Sequence, residues 1–367
     1  MKESRWLKVL VTLAAVVLVG SAVLRLVSHR QEPPPISPTP SVTSPPSVAS
    51  KAIPSGLTPL AVGSRAESEE SDDAGMQIFR ERVEEYLQKR NRSAASLLAG
   101  YHALSDTNLL NEAAAKFPND PHVQWAMLTS EGLGGEQRRQ WLEAFKASSP
   151  DNALANYWSA AEHFKAGNQE AALKEMVEAS GKKQFKDFAM ETMIDEQELR
   201  RSAGQSAFLA LHAGGWASAL PNELSPLKAV ASGIVAAQAQ YAESGDAASA
   251  ASALQMGFVL ADRLGSGDGG RFLLNQQMGL AIENSMLKEL DPNTQYDFLG
   301  DKTPVERQEE LKQLRTESRE LMTALSAAYG SLSEEEWVSY SDRMKAFGEL
   351  EALRWLQQRT APTEPIK

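Results

Sequence analysis

The histidines are the side chains of this sequence best suited to proton transfer or metal binding, but their spacing favours neither role. The sequence has five of them, His29, His102, His122, His163 and His212, and no two are three or four residues apart. A zinc site needs at least three converging ligands, usually histidine, cysteine or carboxylate. Cysteine is absent, which excludes thiolate ligands, disulfides and a cysteine nucleophile. We therefore expect neither a metal nor a cofactor.

Two short motifs have the form of catalytic sequences without the context that those sequences need. Ser225-Pro226-Leu227-Lys228 matches the Ser-x-x-Lys of penicillin-binding enzymes, but residues 180–183 match it too, and the companion motifs are missing. We interpret Ser225-Pro226 as a helix cap followed by proline at the first helical position. Residues 265–270 are glycine-rich, yet no Lys-Ser/Thr follows them, so they predict an ordinary turn between helices and not a phosphate loop.

The elements that position these residues are predicted to be helices. From Met76 onward, apolar residues recur at spacings of three and four, and β-branched residues are sparse. In the clearest unit, Ala153 to about Phe185, the first helix carries an apolar stripe made of Tyr157, Ala160, Ala161 and Phe164. Gly167 ends that helix, and Asn168 is placed to cap the next one. The second helix is predicted to bury Ala172, Leu173, Met176, Val177 and Ala179.

This unit resembles a tetratricopeptide repeat. Tyr157 and Phe164 stand at the aromatic positions of the first helix, Ala161 and Ala172 at the small-residue positions, and Gly167 at the turn. The unit departs from the repeat pattern because methionine replaces the usual aromatic residue of the second helix and no proline closes it. The resemblance implies two antiparallel helices whose apolar faces must be covered by neighbouring repeats.

A second match covers Ala231–Leu264, where Tyr241, Gly245 and Ala250 recur at similar offsets and Asp246 is placed as a cap. The resemblance extends loosely over 93–290. It implies an all-α fold, with a tetratricopeptide-like α-α repeat array (an α-solenoid) over 76–292. An irregular helical bundle is the alternative.

In an array of this kind, the first helices of the repeats line a concave groove. The resemblance therefore implies a partner-binding groove formed by His122 and Trp125 of one unit and Trp158, Glu162 and Lys165 of the next. Aromatic residues flanked by charges are the usual anchors for a bound peptide or helix. The alternative is that both tryptophans are buried between repeats.

The C-terminal part of the chain, 303–360, is predicted to form a helical hairpin that closes the array by intramolecular packing. Its first helix carries an apolar seam made of Leu311, Leu314, Ser318, Leu321, Leu325 and Ala328. Gly330 ends that helix, and Ser333 and Glu336 have the spacing of a capping box. The second helix presents Trp337, Tyr340, Met344, Phe347 and Leu350. Glu334, Glu335 and Glu336 are expected in its first turn, where they complement the helix dipole.

The N-terminal residues 1–30 contain an apolar run, Leu7–Val27. As a helix this run would be about 31 Å long, close to the thickness of a bilayer core. We interpret it as a transmembrane anchor, because apolar character continues past the small residues Gly20 and Ala22 that would suit cleavage of a signal peptide. The flanking charges slightly favour a cytoplasmic N-terminus.

Residues 31–75 are predicted to be a disordered linker, because they contain nine of the 18 prolines together with many Ser and Thr residues. A linker of this kind holds the folded part away from the bilayer. Such spacers are common behind extracytoplasmic anchors, so we expect the folded part on the outer side, in a bacterial periplasm.

The net charge of −11 and the sequence pI of about 5.2 disfavour nucleic-acid binding. Together these features predict a membrane-tethered, non-catalytic scaffold that binds a protein or peptide partner. The oligomeric state is left open. The alternatives are an extracytoplasmic receptor for a small ligand or wall polymer, and an enzyme with an unrecognised site in the polar loops 265–270 or 291–302.

Overall fold

The computed structural model describes residues 73–213, 216–328 and 331–360, and these residues are all-helical, as predicted. The α-helices in chain order are α1 (Asp73–Lys89), α2 (Ala94–Leu104), α3 (Thr107–Lys116), α4 (Pro121–Thr129), α5 (Gly135–Ser148), α6 (Leu154–Lys165), α7 (Gln169–Ser180), α8 (Ala189–Ser202), α9 (Ala207–His212), α10 (Trp216–Glu243), α11 (Ala247–Gly265), α12 (Leu273–Leu287), α13 (Pro304–Ala328), α14 (Glu334–Phe347) and α15 (Glu349–Thr360). Two short 3-10 helices, Gly269–Arg271 and Asp297–Leu299, lie before α12 and α13.

The predicted anchor Leu7–Val27 lies outside the described residues, as does nearly all of the predicted linker. Helix α1 begins at Asp73, just inside the C-terminal end of that linker. None of the helices in the described part of the chain is long and apolar enough to cross a membrane.

Three consecutive helical hairpins, α2/α3, α4/α5 and α6/α7, form the first half of the described structure. In the third hairpin the chain turns at Gly167, which has a φ of +73°, and the side chain of Asn168 accepts a hydrogen bond from the backbone N–H of Ala171 at 3.3 Å. The predicted turn and cap are therefore confirmed. Val177 was predicted to be buried but is 60% exposed. It follows the buried Met176 by one residue, and successive side chains on a helix point about 100° apart.

After the third hairpin the chain folds back instead of extending the stack. Helix α8 packs against α2, and α10 packs against α6. Gly233 of α10 makes the second contact possible, because a Cβ atom at this position would lie 2.4 Å from Cγ of Phe164. The first helices of the hairpins, which would line an open groove in a simple array, are thus in contact with later helices of the same chain.

Helix α10 runs through Ser225 and Pro226, so the interpretation of these two residues as a helix start is wrong. Proline inside a helix removes one backbone hydrogen bond and usually disfavours the conformation. Leu227, Val230 and Ile234 are buried on the same helix, and this packing stabilises the helix despite the proline.

Helices α11 and α12 approach each other closely at two glycines. Gly257 lies against the side chain of Met286, and a Cβ atom on Gly279 would lie 2.7 Å from the backbone oxygen of Ala261. Residues 265–270 form the predicted turn between these helices. Gly269 is required there, because a Cβ atom would meet the backbone oxygen of Arg263.

Replacing Gly279 with Ala should lower the free energy of unfolding by about 1–3 kcal/mol, because the added methyl group pushes α11 and α12 apart. The change is measured by urea unfolding followed by circular dichroism. Gly75→Ala is the matched control, since a Cβ atom on Gly75 of α1 meets nothing within 4 Å. It should leave stability unchanged or raise it slightly through helix propensity. Equal effects of the two substitutions would contradict the close approach at Gly279.

The C-terminal unit differs from the predicted hairpin because its second helix is interrupted. The capping box is confirmed, since Ser333 Oγ accepts from Glu336 N at 3.2 Å and Glu336 Oε2 accepts from Ser333 N at 2.9 Å. Gly348, however, has a φ of +90° and separates α14 from α15. Helix α15 packs against both α13 and α14, so the unit has three helices.

Two carboxylates, at the N-terminal ends of α14 and α15, bind the N-termini of other helices. Glu334 accepts a hydrogen bond from the backbone N–H of Ala207, at the start of α9, and pairs with Arg201 at 2.5 Å. Glu349 accepts from the N–H of Leu273 at 2.7 Å, at the start of α12. Glu334 does lie in the first turn of its own helix, as predicted, and it additionally ties α14 to α9.

Candidate functional site

The candidate site begins with Trp125 and Trp158, which lie on the first helices of adjacent hairpins. Helix α4 starts at Pro121, and the side chain of the preceding residue, Asp120, caps it by accepting from His122 N at 2.9 Å. The two indole rings meet edge to face, with centroids 4.8 Å apart and planes at 67°. Trp125 is 2% exposed and Trp158 is 3% exposed. The alternative in which both tryptophans are buried between hairpins therefore describes their position.

Both indole N–H groups are buried, and neither has a hydrogen-bond acceptor within the described residues. A buried donor without an acceptor lowers stability by about 1–3 kcal/mol. The rings therefore stabilise the fold by packing, and this contribution is reduced by the desolvated N–H groups.

His122 links α4 to α8. Its Nε2 atom lies 2.9 Å from Oγ1 of Thr192, and its ring stacks on Phe188 with centroids 5.0 Å apart. Burial lowers the pKa of His122 to about 4, although the carboxylates of Asp120 and Glu191 act in the opposite direction. The ring is therefore neutral at pH 7 and serves as a hydrogen-bonding and stacking group.

Two phenylalanines that sequence analysis missed join His122 to the tryptophans. Phe145 of α5 lies 5.8 Å from Trp125 and 6.1 Å from Phe188, measured between ring centroids. Phe188 precedes α8 with a φ of +58°, a conformation that is uncommon for a bulky residue. No local sequence signal predicts this conformation. The aromatic row of Trp158, Trp125, Phe145, Phe188 and His122 is continuous. Its tryptophans and phenylalanines are buried, and His122 is half-buried.

Glu162 and Lys165 lie outside this row, on the surface of α6. The carboxylate of Glu162 and the ammonium of Lys165 are 3.4 Å apart, and both side chains are largely exposed. An exposed pair of this kind contributes little to stability. The structure thus brings three of the five predicted site residues together in the aromatic row and leaves the other two at the surface.

Two carboxyl groups with shifted pKa values lie along α8, but they do not converge on one point. Burial raises the pKa of Asp187 to about 6 even though its oxygens accept hydrogen bonds from Ala189 N at 3.1 Å and from Asn275 at 2.8 Å. Burial, followed by the charge of Glu191, raises the pKa of Asp195 to about 6. Asp187 precedes the helix and Asp195 lies in its second turn, so roughly 10 Å of helix rise separates them. The two groups therefore lie at different levels along the helix.

Within the described ranges, no three His, Asp or Glu side chains come close enough together to hold a metal ion.

Comparison with known proteins identifies no relative: no protein-family model matches this sequence, and no curated protein or solved structure does.

Proposed function

We propose that this chain is a non-catalytic scaffold that binds protein partners and is tethered to a membrane by Leu7–Val27. The observation that carries the proposal is that the hairpins use their aromatic side chains for internal packing and expose charged side chains. The aromatic row and the neutral His122 are used in internal contacts. Exposed charged side chains, such as Lys165, stand on helices that pack against one another. Packed helices are well suited to presenting a partner surface, because little entropy is lost on binding.

The assignment to tetratricopeptide-like repeats is part of this proposal. It is supported by three successive hairpins and by the turn at Gly245, which joins α10 and α11 and has a φ of +80°. Since α8 and α10 pack against the first helices, we place the partner surface on the outer part of α6 at Glu162 and Lys165, and not on the two tryptophans.

The membrane tether and the extracytoplasmic location rest on sequence features alone. The apolar length of Leu7–Val27 and the proline-rich stretch 31–75 support them. The folded part would then reach partners at some distance from the bilayer surface.

The experiment is chemical cross-linking of the full-length protein in its native membranes, followed by identification of stoichiometric partners. Reversing the charges of the exposed pair, with Glu162→Lys combined with Lys165→Glu, keeps the ion pair within α6 but inverts its surface pattern. We expect this variant to lose at least one partner that the wild-type protein captures, because mismatched charges at an interface disfavour binding.

The matched control is the same reversal at Asp342 and Lys345, which also form an ion pair three residues apart, in α14. It should leave the captured partner in place. If the wild-type protein captures no stoichiometric partner, the scaffold proposal fails. If both reversals leave capture unchanged, the α6 surface is not the binding site.

A further inference from the structure

The connection between α12 and α13 is an ordered loop that presents an aromatic side chain to solvent. Its second half is closed by a hydrogen bond of 3.1 Å from Tyr296 N to Lys302 O, and Asp291 N donates to the hydroxyl oxygen of Tyr296 at 3.2 Å. Gly300 and Asp301 both have positive φ values. These features hold the short helix Asp297–Leu299 in one place.

Phe298, in the middle of this short helix, is 52% exposed although it is fixed by two other rings. Its centroid lies 5.1 Å from that of Phe258 on α11 and 5.3 Å from that of Tyr296. An exposed aromatic residue with restrained geometry is the type of residue that anchors protein interfaces, because little side-chain entropy remains to be lost.

The chain segment that carries Tyr296 and Phe298 is strongly acidic. Residues 283–310 contain eight Asp and Glu residues but only three Lys and Arg residues. Two of these cations are neutralised locally, since Lys302 pairs with Glu310 at 2.5 Å and Arg307 pairs with Glu283 at 2.6 Å. Four carboxylates of the loop have no ion pair within the described residues: Glu289, Asp291, Asp297 and Asp301.

We propose that the Phe298 patch, meaning Phe258, Tyr296 and Phe298 together with these four carboxylates of the loop, docks a Lys/Arg-rich amphipathic helix of a partner protein. The apolar face of such a helix would cover Phe298, and its basic residues would meet the surrounding carboxylates. Anionic lipid and nucleic acid are disfavoured as occupants because the patch repels negative charge. The inference rests on the proposed scaffold role but uses a different surface from α6.

The test uses the full-length protein in zwitterionic detergent and a fluorescent peptide of about 14 residues, four helical turns, with a leucine stripe and lysine elsewhere. Binding is measured by fluorescence anisotropy. We expect Phe298→Ser to weaken binding at least about tenfold, the usual loss for an aromatic anchor. Asp297→Asn combined with Asp301→Asn should also weaken binding and make it less sensitive to salt. Asparagine tolerates the left-handed conformation at position 301, so the loop is kept.

Two controls distinguish binding at the Phe298 patch from nonspecific binding of the peptide. A peptide with glutamate in place of every lysine should bind the wild-type protein at least about tenfold more weakly, because like charges meet at the patch. Val177→Ser, at another exposed apolar residue, should leave binding unchanged. Equal binding by wild type and Phe298→Ser, or equal binding of the two peptides, would overturn the proposal. Self-association of the wild-type protein that Phe298→Ser abolishes would overturn it too, in favour of a second copy as occupant. The cross-linking result at α6 is independent of each of these outcomes.

Discussion

Replacing Arg200 with Met is expected to lower the free energy of unfolding by about 3–5 kcal/mol, because it removes one partner of a buried ion pair. Arg200 is 7% exposed and Glu196, one helical turn earlier, is 0% exposed, with Nε and Oε1 2.8 Å apart. Arg200 also donates to the backbone oxygen of Ala103 at 3.3 Å. The side chain therefore forms an ion pair with Glu196 and links α8 to the end of α2 by a hydrogen bond. Urea unfolding of the full-length protein at pH 7 measures the loss.

The double variant Arg200→Met with Glu196→Leu should recover a large part of this stability, because no charge is then left buried. Lys165→Met, which breaks the exposed pair of α6, should change stability by less than about 1 kcal/mol. A loss at Arg200 no larger than the loss at Lys165 would show that the buried pair is not a main link between α8 and α2.

What the sequence predicted well is local. Asn168, Asp246 and Ser333 each lie next to the helix they cap, and the structure shows their capping hydrogen bonds at 3.3, 3.0 and 3.2 Å. A cap depends on a few adjacent residues, so its signal can be found without knowledge of the rest of the fold. The helical class follows from periodicity in the same way.

What the sequence did not predict depends on residues far apart in the chain. His122 and Thr192 are 70 residues apart, and Arg263 donates to the backbone oxygen of Ala179 at 2.6 Å across 84 residues. These contacts hold α8 against α4 and α11 against α7. Nothing in the spacing of one helix specifies which distant helix covers it, since any apolar stripe of suitable width can do so. Trp125 and Trp158 are buried by packing of this kind, and the sequence could state their burial only as an alternative.

The helix break at Gly348 is a second feature that the periodicity of apolar residues did not predict. Phe347 and Leu350 continue the apolar spacing of α14, so the pattern predicted one uninterrupted helix. Gly348 packs against Arg271, whose backbone oxygen would lie 3.1 Å from a Cβ atom at that position. This contact with the segment before α12 explains why a glycine interrupts the helix here. The sequence contains this glycine, but only the packing of the neighbouring segment shows why the helix ends there.

Replacing Trp158 with Ala is expected to lower the free energy of unfolding by about 3–5 kcal/mol, because the substitution leaves a cavity beside Trp125 in the interior. Trp158→Phe should change it by less than about 1.5 kcal/mol. The smaller ring keeps the contact with Trp125, and it removes an indole N–H that has no acceptor within the described residues. Urea unfolding and intrinsic fluorescence measure both variants.

The pair of variants also separates the two roles considered for Trp158. If the indole were an exposed anchor for a partner, Ala would change stability by less than about 0.5 kcal/mol, as surface substitutions do, and both variants would reduce partner capture. If Trp158 packs from α6 against α4, as its 3% exposure indicates, the Phe variant should keep both stability and capture. Under that second outcome, a loss of capture in the Ala variant reports the loss of fold. Any partner surface on these hairpins must then be sought among exposed residues such as Glu162 and Lys165.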